Sequence, residues 1–106
     1  MKKFVTVFLI LGFSNIALSN DRGVVVLDHY ECKSHDHIVI ETSMGYTLAE
    51  VYEGYENTYE GHVVYGNLHA YFFNEIYDED GNQIGSLYLE DYMVDESRAL
   101  KWCYEE

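Results

Sequence analysis

From Gly23 to Met93 the chain is a succession of short β-branched and aromatic runs, each closed off by glycine or by an aspartate or asparagine. Val24-Val25-Val26-Leu27, Ile38-Val39-Ile40, His62-Val63-Val64-Tyr65 and Tyr71-Phe72-Phe73 are examples. Such residues fit a pleated, half-buried surface, and the turn formers between them mark where each run stops. The pattern predicts strands over 23–30, 36–42, 46–52, 62–68, 71–77 and 83–93. Six short strands in about 70 residues point to a closed or nearly closed antiparallel barrel. Between the last two runs, Asp78-Glu79-Asp80-Gly81-Asn82 predicts a hairpin, because glycine accepts the positive φ that a tight turn demands. Tyr52-Glu53-Gly54 and Tyr59-Glu60-Gly61 bracket a segment with little to bury, which reads as a loop.

The pattern changes character after Val94. Asp95 can cap a helix, Glu96 suits its positive end, and Ala99, Trp102 and Cys103 share one face at i, i+3, i+4 spacing. A short helix there carries Trp102 onto the barrel and turns Cys103 towards the end of the first strand, near Cys32. The expected fold is therefore mainly β: a small antiparallel barrel, Src-homology-3-like or OB-like, with a short C-terminal helix.

The N-terminus obeys other rules. Met1-Lys2-Lys3 precedes an apolar run from Phe4 to Phe13 and the small residues around Ala17-Leu18-Ser19. This is the layout of a secretory signal peptide, with cleavage expected after Ser19. A membrane-spanning helix needs roughly twice that apolar length. The remaining residues 20–106 form one domain and go to the periplasm or the exterior. Both cysteines, Cys32 and Cys103, lie in that part of the 106-residue chain. In an oxidising compartment they read first as a disulfide, which suits a domain whose core is small.

Charge then narrows the partners. The formal net charge is −13, and loss of Lys2 and Lys3 leaves four cationic residues against nineteen acidic ones, or −15. A field of that sign repels nucleic acid and anionic lipid and attracts cationic proteins or peptides. Tyrosine is abundant, with eleven copies. Its ring attracts lysine and arginine, and neighbouring carboxylates steer and pair the same cations. The candidate binding surface is Tyr52, Glu53, Tyr55, Glu56, Tyr59 and Glu60, joined by Tyr88, Glu90, Asp91 and Tyr92.

A resemblance lies in the order of features from Tyr46 to Val94. Ala49-Glu50-Val51-Tyr52 followed by an acidic tyrosine-bearing loop, then Glu60-Gly61-His62-Val63-Val64, Tyr71-Phe72-Phe73 and Gly85-Ser86-Leu87-Tyr88-Leu89-Glu90-Asp91-Tyr92-Met93, resembles a Src-homology-3-type barrel. Tyr88 stands where that family uses a proline, the spacing on to Tyr92 is one residue longer, and no paired tryptophan precedes the segment. The resemblance covers about half the chain and implies a barrel more than a proline-rich-peptide binder. The chain also resembles small secreted bacterial proteins.

Three other chemistries are weighed on the same residues. His29-Tyr30-Glu31-Cys32-Lys33-Ser34-His35-Asp36-His37 reads first as a polar turn holding a disulfide cysteine. Its alternative is a zinc or copper site at His29, His35 and His37, since i, i+2 spacing in a strand puts His35 and His37 on one face. The acidic hairpin does not match a calcium loop, because its glycine comes fourth rather than sixth. No nucleophile elbow, phosphate-cradling loop or paired zinc spacing is present, so no enzyme and no cofactor are expected. The leading expectation is an exported, acidic, non-catalytic binding or inhibitory module for a cationic protein or peptide. A periplasmic metal-binding protein and a cell-wall-associated accessory domain are the alternatives.

Overall fold

The computed structural model describes residues 20–106, and the expected signal peptide lies outside them. Six strands occur in chain order: β1 (Asp21–Leu27), β2 (His37–Thr42), β3 (Gly45–Glu53), β4 (Val63–Gly66), β5 (Phe72–Tyr77) and β6 (Gln83–Val94). Helix α1 (Glu96–Glu105) follows. The predicted strands are all present, with ends shifted by up to three residues. The largest shift, at the end of β1, has a local cause: Asp28 accepts the Tyr30 N–H at 2.9 Å and turns the chain.

The barrel closes in the order β1-β2-β3-β6-β5-β4, with every pair antiparallel. It consists of two three-stranded meanders joined by pairing β1 to β4 and β3 to β6. β3 and β4 are not neighbours, so their connection crosses the upper end of the barrel, where β1, β3 and β5 finish. That connection contains one 3-10 turn at Tyr55–Asn57. Gly54 opens it at φ 92°, with its backbone so close to Ile84 and Gly85 that a side chain has no room.

The interior is filled by Val25, Ile38, Ile40, Ala49, Val51, Val64, Ile76, Leu87 and Leu89 from one face of every strand, and by Leu68 just after β4. β2 departs from simple alternation, since His37, Ile38, Val39 and Ile40 are all buried. The reason is α1, which runs up the outside of β2 and β3 and covers their outer faces. Val39 and Leu48 pack there with Ala99, Trp102 and Cys103 in a second core. Asp95 caps the helix by accepting the Arg98 N–H at 2.8 Å. At the far end Cys103 is disulfide-bonded to Cys32 in the β1–β2 loop, and the Lys33 N–H donates to the Cys103 carbonyl at 2.8 Å. Closing a loop of this length stabilises a fold by roughly 4 kcal/mol on the chain-entropy model.

The acidic hairpin forms as expected. Asp78 accepts the N–H groups of Asp80 and Asn82, both at 2.9 Å, and Gly81 takes φ 86°. Those donors hold the Asp78 carboxyl below its ordinary range, which accounts for an aspartate here by turn geometry alone. Among the described residues no helix is long and apolar enough to cross a membrane.

Candidate functional site

The register of the sheet decides which side chains share a surface. His37 on β2 lies opposite Glu50 on β3, Glu50 opposite Tyr88 on β6, and Tyr88 opposite Phe73 on β5. These four form one outward row across the barrel, half of it under α1 and half open to solvent. Tyr52, two positions after Glu50, extends the open half and meets Phe73 edge-on with ring centroids 5.0 Å apart. Phe73 in turn packs against Tyr88 at 5.1 Å.

Phe72 joins this surface by an irregular route. It pairs with Leu89, whose side chain is buried, so regular alternation would send Phe72 inwards. Its φ is +74° instead, and the ring stays 65% exposed. Positive φ at a bulky non-glycine residue costs on the order of 1 kcal/mol and persists only where the surroundings impose it. From Phe72 the rings continue through Tyr71 to Tyr92, with centroids 6.2 and then 4.8 Å apart. The result is a ridge of rings along β3, β6 and β5, in which Tyr52 is 65% and Phe73 58% exposed.

Carboxylates line both flanks. On one side of Tyr52 and Phe73 a groove of about 420 Å³ is bordered by Glu53, Asn74, Glu75 and Ser86. On the other, a groove of about 220 Å³ is bordered by Asp36, Glu50, Val51 and Tyr88. Glu90 and Asp91 lie further along β6, where Asp91 is 3.8 Å from the Arg98 guanidinium. Tyr71 donates to Asp91 at 3.5 Å, and the Asp91 charge raises the phenol above its ordinary pKa. β3, β5 and β6 carry no lysine or arginine.

The sequence-predicted binding surface is split by this geometry. Tyr52, Glu53, Tyr88, Glu90, Asp91 and Tyr92 belong to the ridge and its borders. Tyr55, Glu56, Tyr59 and Glu60 follow the Gly54 turn onto the upper end of the barrel. There His29 packs against Tyr30, Tyr55 and Tyr59 with centroids 5.1, 5.5 and 4.9 Å away, and Tyr30 stacks on Tyr59. Sequence reasoning missed Phe72 and Phe73 as surface groups. The signal available was three consecutive aromatics, Tyr71-Phe72-Phe73, which alternation cannot bury together.

The histidines also separate. His35 is exposed in the loop before β2, and the strand begins only at His37, so the spacing that would align the two rings does not operate. His37 stacks flat on Trp102, with centroids 3.9 Å apart and planes 8° from parallel. Its Nε2 lies 3.9 Å from a carboxylate oxygen of both Glu50 and Glu90. A hydrogen bond with Glu90 is the main reason the Glu50 carboxyl is raised from 4.5 to about 7, followed by burial and by the charges of Glu90 and Asp36.

Among the described residues two groups bring three ligand-type atoms within 4.8 Å of one another: His37 with Glu50 and Glu90, and Asp28 with Glu31 and Glu60. Neither includes His29 or His35. The second group is occupied with its own backbone, since Asp28 accepts the N–H groups of Tyr30 and Glu60, and Glu31 accepts that of Asp28.

Comparison of the chain with protein families, with curated proteins and with solved structures finds no match.

Proposed function

We propose that the protein is an exported, non-catalytic binding or inhibitory module that captures a lysine- or arginine-bearing segment of another protein on the face formed by β3, β6 and β5. The observation that carries this reading is the ridge of Tyr52, Phe73, Tyr88 and Phe72 with a carboxylate-bordered groove on each side. A lysine or arginine laid in either groove meets a ring face along its stem and an acidic group at its tip. Each such cation–π contact is worth roughly 0.5–2 kcal/mol, and each carboxylate adds attraction that is strongest at low salt.

Three further observations support it. A monomeric barrel seldom exposes a continuous aromatic surface without a partner. The strained backbone at Phe72 holds one more ring in solvent, and strain of that kind collects at binding sites. The formal charge of the chain steers cationic partners over a long range. Export rests on the N-terminal pattern and is compatible with the Cys32–Cys103 disulfide.

The test is binding of a lysine- and arginine-rich peptide, measured by interferometry at low and high salt beside a matched acidic peptide. The basic peptide binds, its affinity falls steeply with salt, and Tyr52→Ala with Phe73→Ala weakens it by roughly tenfold or more. Tyr55→Ala with Glu56→Ala leaves it unchanged. Equal binding of both peptides, or indifference to the Tyr52 and Phe73 changes, overturns the assignment.

A further inference from the structure

We propose that His37 Nε2 and the carboxylates of Glu50 and Glu90 form a binding site for one divalent transition-metal ion of the zinc class. The site shares Glu50 with one groove of the cationic-partner face but does not rest on that reading, and its ligands differ from the histidine spacing of the β1–β2 loop.

The fold leaves the His37 imidazole without a hydrogen-bond partner. His37 is 8% exposed, and its Nδ1 is buried without a hydrogen-bond partner. Its Nε2 points between two carboxylates, each 3.9 Å away and so beyond hydrogen-bonding distance. The orphaned Nδ1 lies on the other side of the ring, but Nε2 too has no hydrogen-bond partner, and a cation held between it and the two carboxylates would give it one to bind. The gap can hold a cation: Nε2 is 3.9 Å from each carboxylate oxygen and the three ligand atoms lie within 4.8 Å of one another, so one ion can reach all three at close to the roughly 2.0–2.2 Å at which zinc bonds nitrogen and carboxylate oxygen. Small rotations of the two glutamates, whose side chains are about one-third exposed, supply the difference.

The surroundings favour the same ion. Stacking on Trp102 fixes the imidazole plane, so the direction of Nε2 is set before any ligand arrives. The Trp102 indole N–H donates to Glu90 Oε1 at 3.4 Å, leaving Oε2 as the oxygen nearer His37. An outer hydrogen bond that aims a carboxylate in this way is what tunes a metal ligand. One nitrogen and two oxygens suit a borderline cation such as zinc, whereas calcium and magnesium take oxygen sets with more ligands. Two carboxylates held this close repel each other, and a shared cation relieves that repulsion.

The experiment is a titration of the chelator-treated, disulfide-bonded protein with zinc, read by calorimetry, by melting temperature and by the fluorescence of Trp102, the single tryptophan. Zinc binds once per chain, raises the melting temperature and alters the Trp102 emission. Glu50→Gln with Glu90→Gln weakens binding by roughly tenfold or more. In zinc-free buffer the same double variant melts above the parent, because the repulsion is gone; a residue pair needed merely for folding would move the other way. His29→Ala with His35→Ala leaves zinc binding intact. Absence of saturable binding, binding indifferent to the glutamate pair, or binding lost with His29 and His35 each overturns the proposal.

Discussion

Two groups of aromatic rings lie on this barrel, one along β3, β6 and β5 and one at its upper end, and both are built from tyrosines beside acidic residues. They differ in what the acids are doing. At the upper end the carboxylates of Asp28 and Glu31 accept backbone N–H groups, and the rings of Tyr30, Tyr55 and Tyr59 pack around His29. Along the ridge, Glu53 and Glu75 take hydrogen bonds from hydroxyl groups alone and keep their charge facing a groove. The same residue types thus tie down a loop in one place, although Tyr30 and Tyr55 stay exposed there, and border open grooves in the other. Strand register makes the difference, because it holds the ridge rings side by side on a rigid sheet, whereas a loop can fold its rings onto each other.

The largest effect expected from this contrast lies at the centre of the upper group. His29 Nδ1 is buried there with no hydrogen-bond partner. Replacing the ring by an apolar one of similar shape removes the desolvation penalty and keeps the packing, so His29→Phe should stabilise the fold by about 1–2 kcal/mol. Chemical denaturation gives the number, and peptide binding should not change. By contrast Tyr52→Ala on the ridge should alter stability by less than about 0.5 kcal/mol, as exposed positions do. If His29→Phe destabilised the protein, the upper group would be a polar site rather than a packed closure.

The ridge should also gain stability at Phe72, but there at the expense of binding. Glycine accepts φ +74° without penalty, so Phe72→Gly releases the local strain and offsets the extra freedom of the unfolded chain. A net gain of about 0.5–1 kcal/mol in stability is expected, accompanied by weaker binding of the basic peptide. A variant that is more stable and binds less well would show that strain is retained for the surface it creates. A loss of stability would mean that Phe72 has packing partners that matter more than its backbone.

Much of this molecule was legible locally. The six apolar runs, the Asp78–Asn82 hairpin, the Asp95 cap and the helical face of Ala99, Trp102 and Cys103 depend on neighbours a few residues away. The disulfide followed from having two cysteines and a helix that returns to the first strand. What sequence spacing could not convey is long-range register. β3 and β6 slip against each other at three places, so which of Tyr88, Glu90 and Asp91 face the same way as Tyr52 is set by bulges. The Gly54 turn parts Tyr52 from Tyr55 although they are three residues apart. His37 meets Glu50 across β2 and β3, and Glu90 from β6, a grouping with no motif in the chain.

The smallest effect is a pH dependence that separates the two acidic regions by charge alone. In the metal-free protein the Glu50 carboxyl is raised from 4.5 to about 7, chiefly by its hydrogen bond with Glu90. A folded-state value above the unfolded one means that the native protein holds the proton more tightly. This contribution is complete below about pH 4.5, where both states are protonated, and fades as pH rises towards 7, where the unfolded chain alone has ionised. Glu50 is partly exposed, and solvent screening reduces the effect to about 0.5 kcal/mol. Denaturation midpoints at pH 5 and pH 8 would reveal it as a difference between the parent and Glu90→Gln, in which the coupling is removed and the slope flattens. The upper end also holds a raised carboxyl, that of Glu60 beside the Glu31 charge, but it lies in full solvent, so Glu31→Gln should flatten the slope less than Glu90→Gln does. If Glu31→Gln flattened it more, the dominant carboxyl pair would lie in the loop group, and the ridge would lose its claim to be the region where charge is held in reserve.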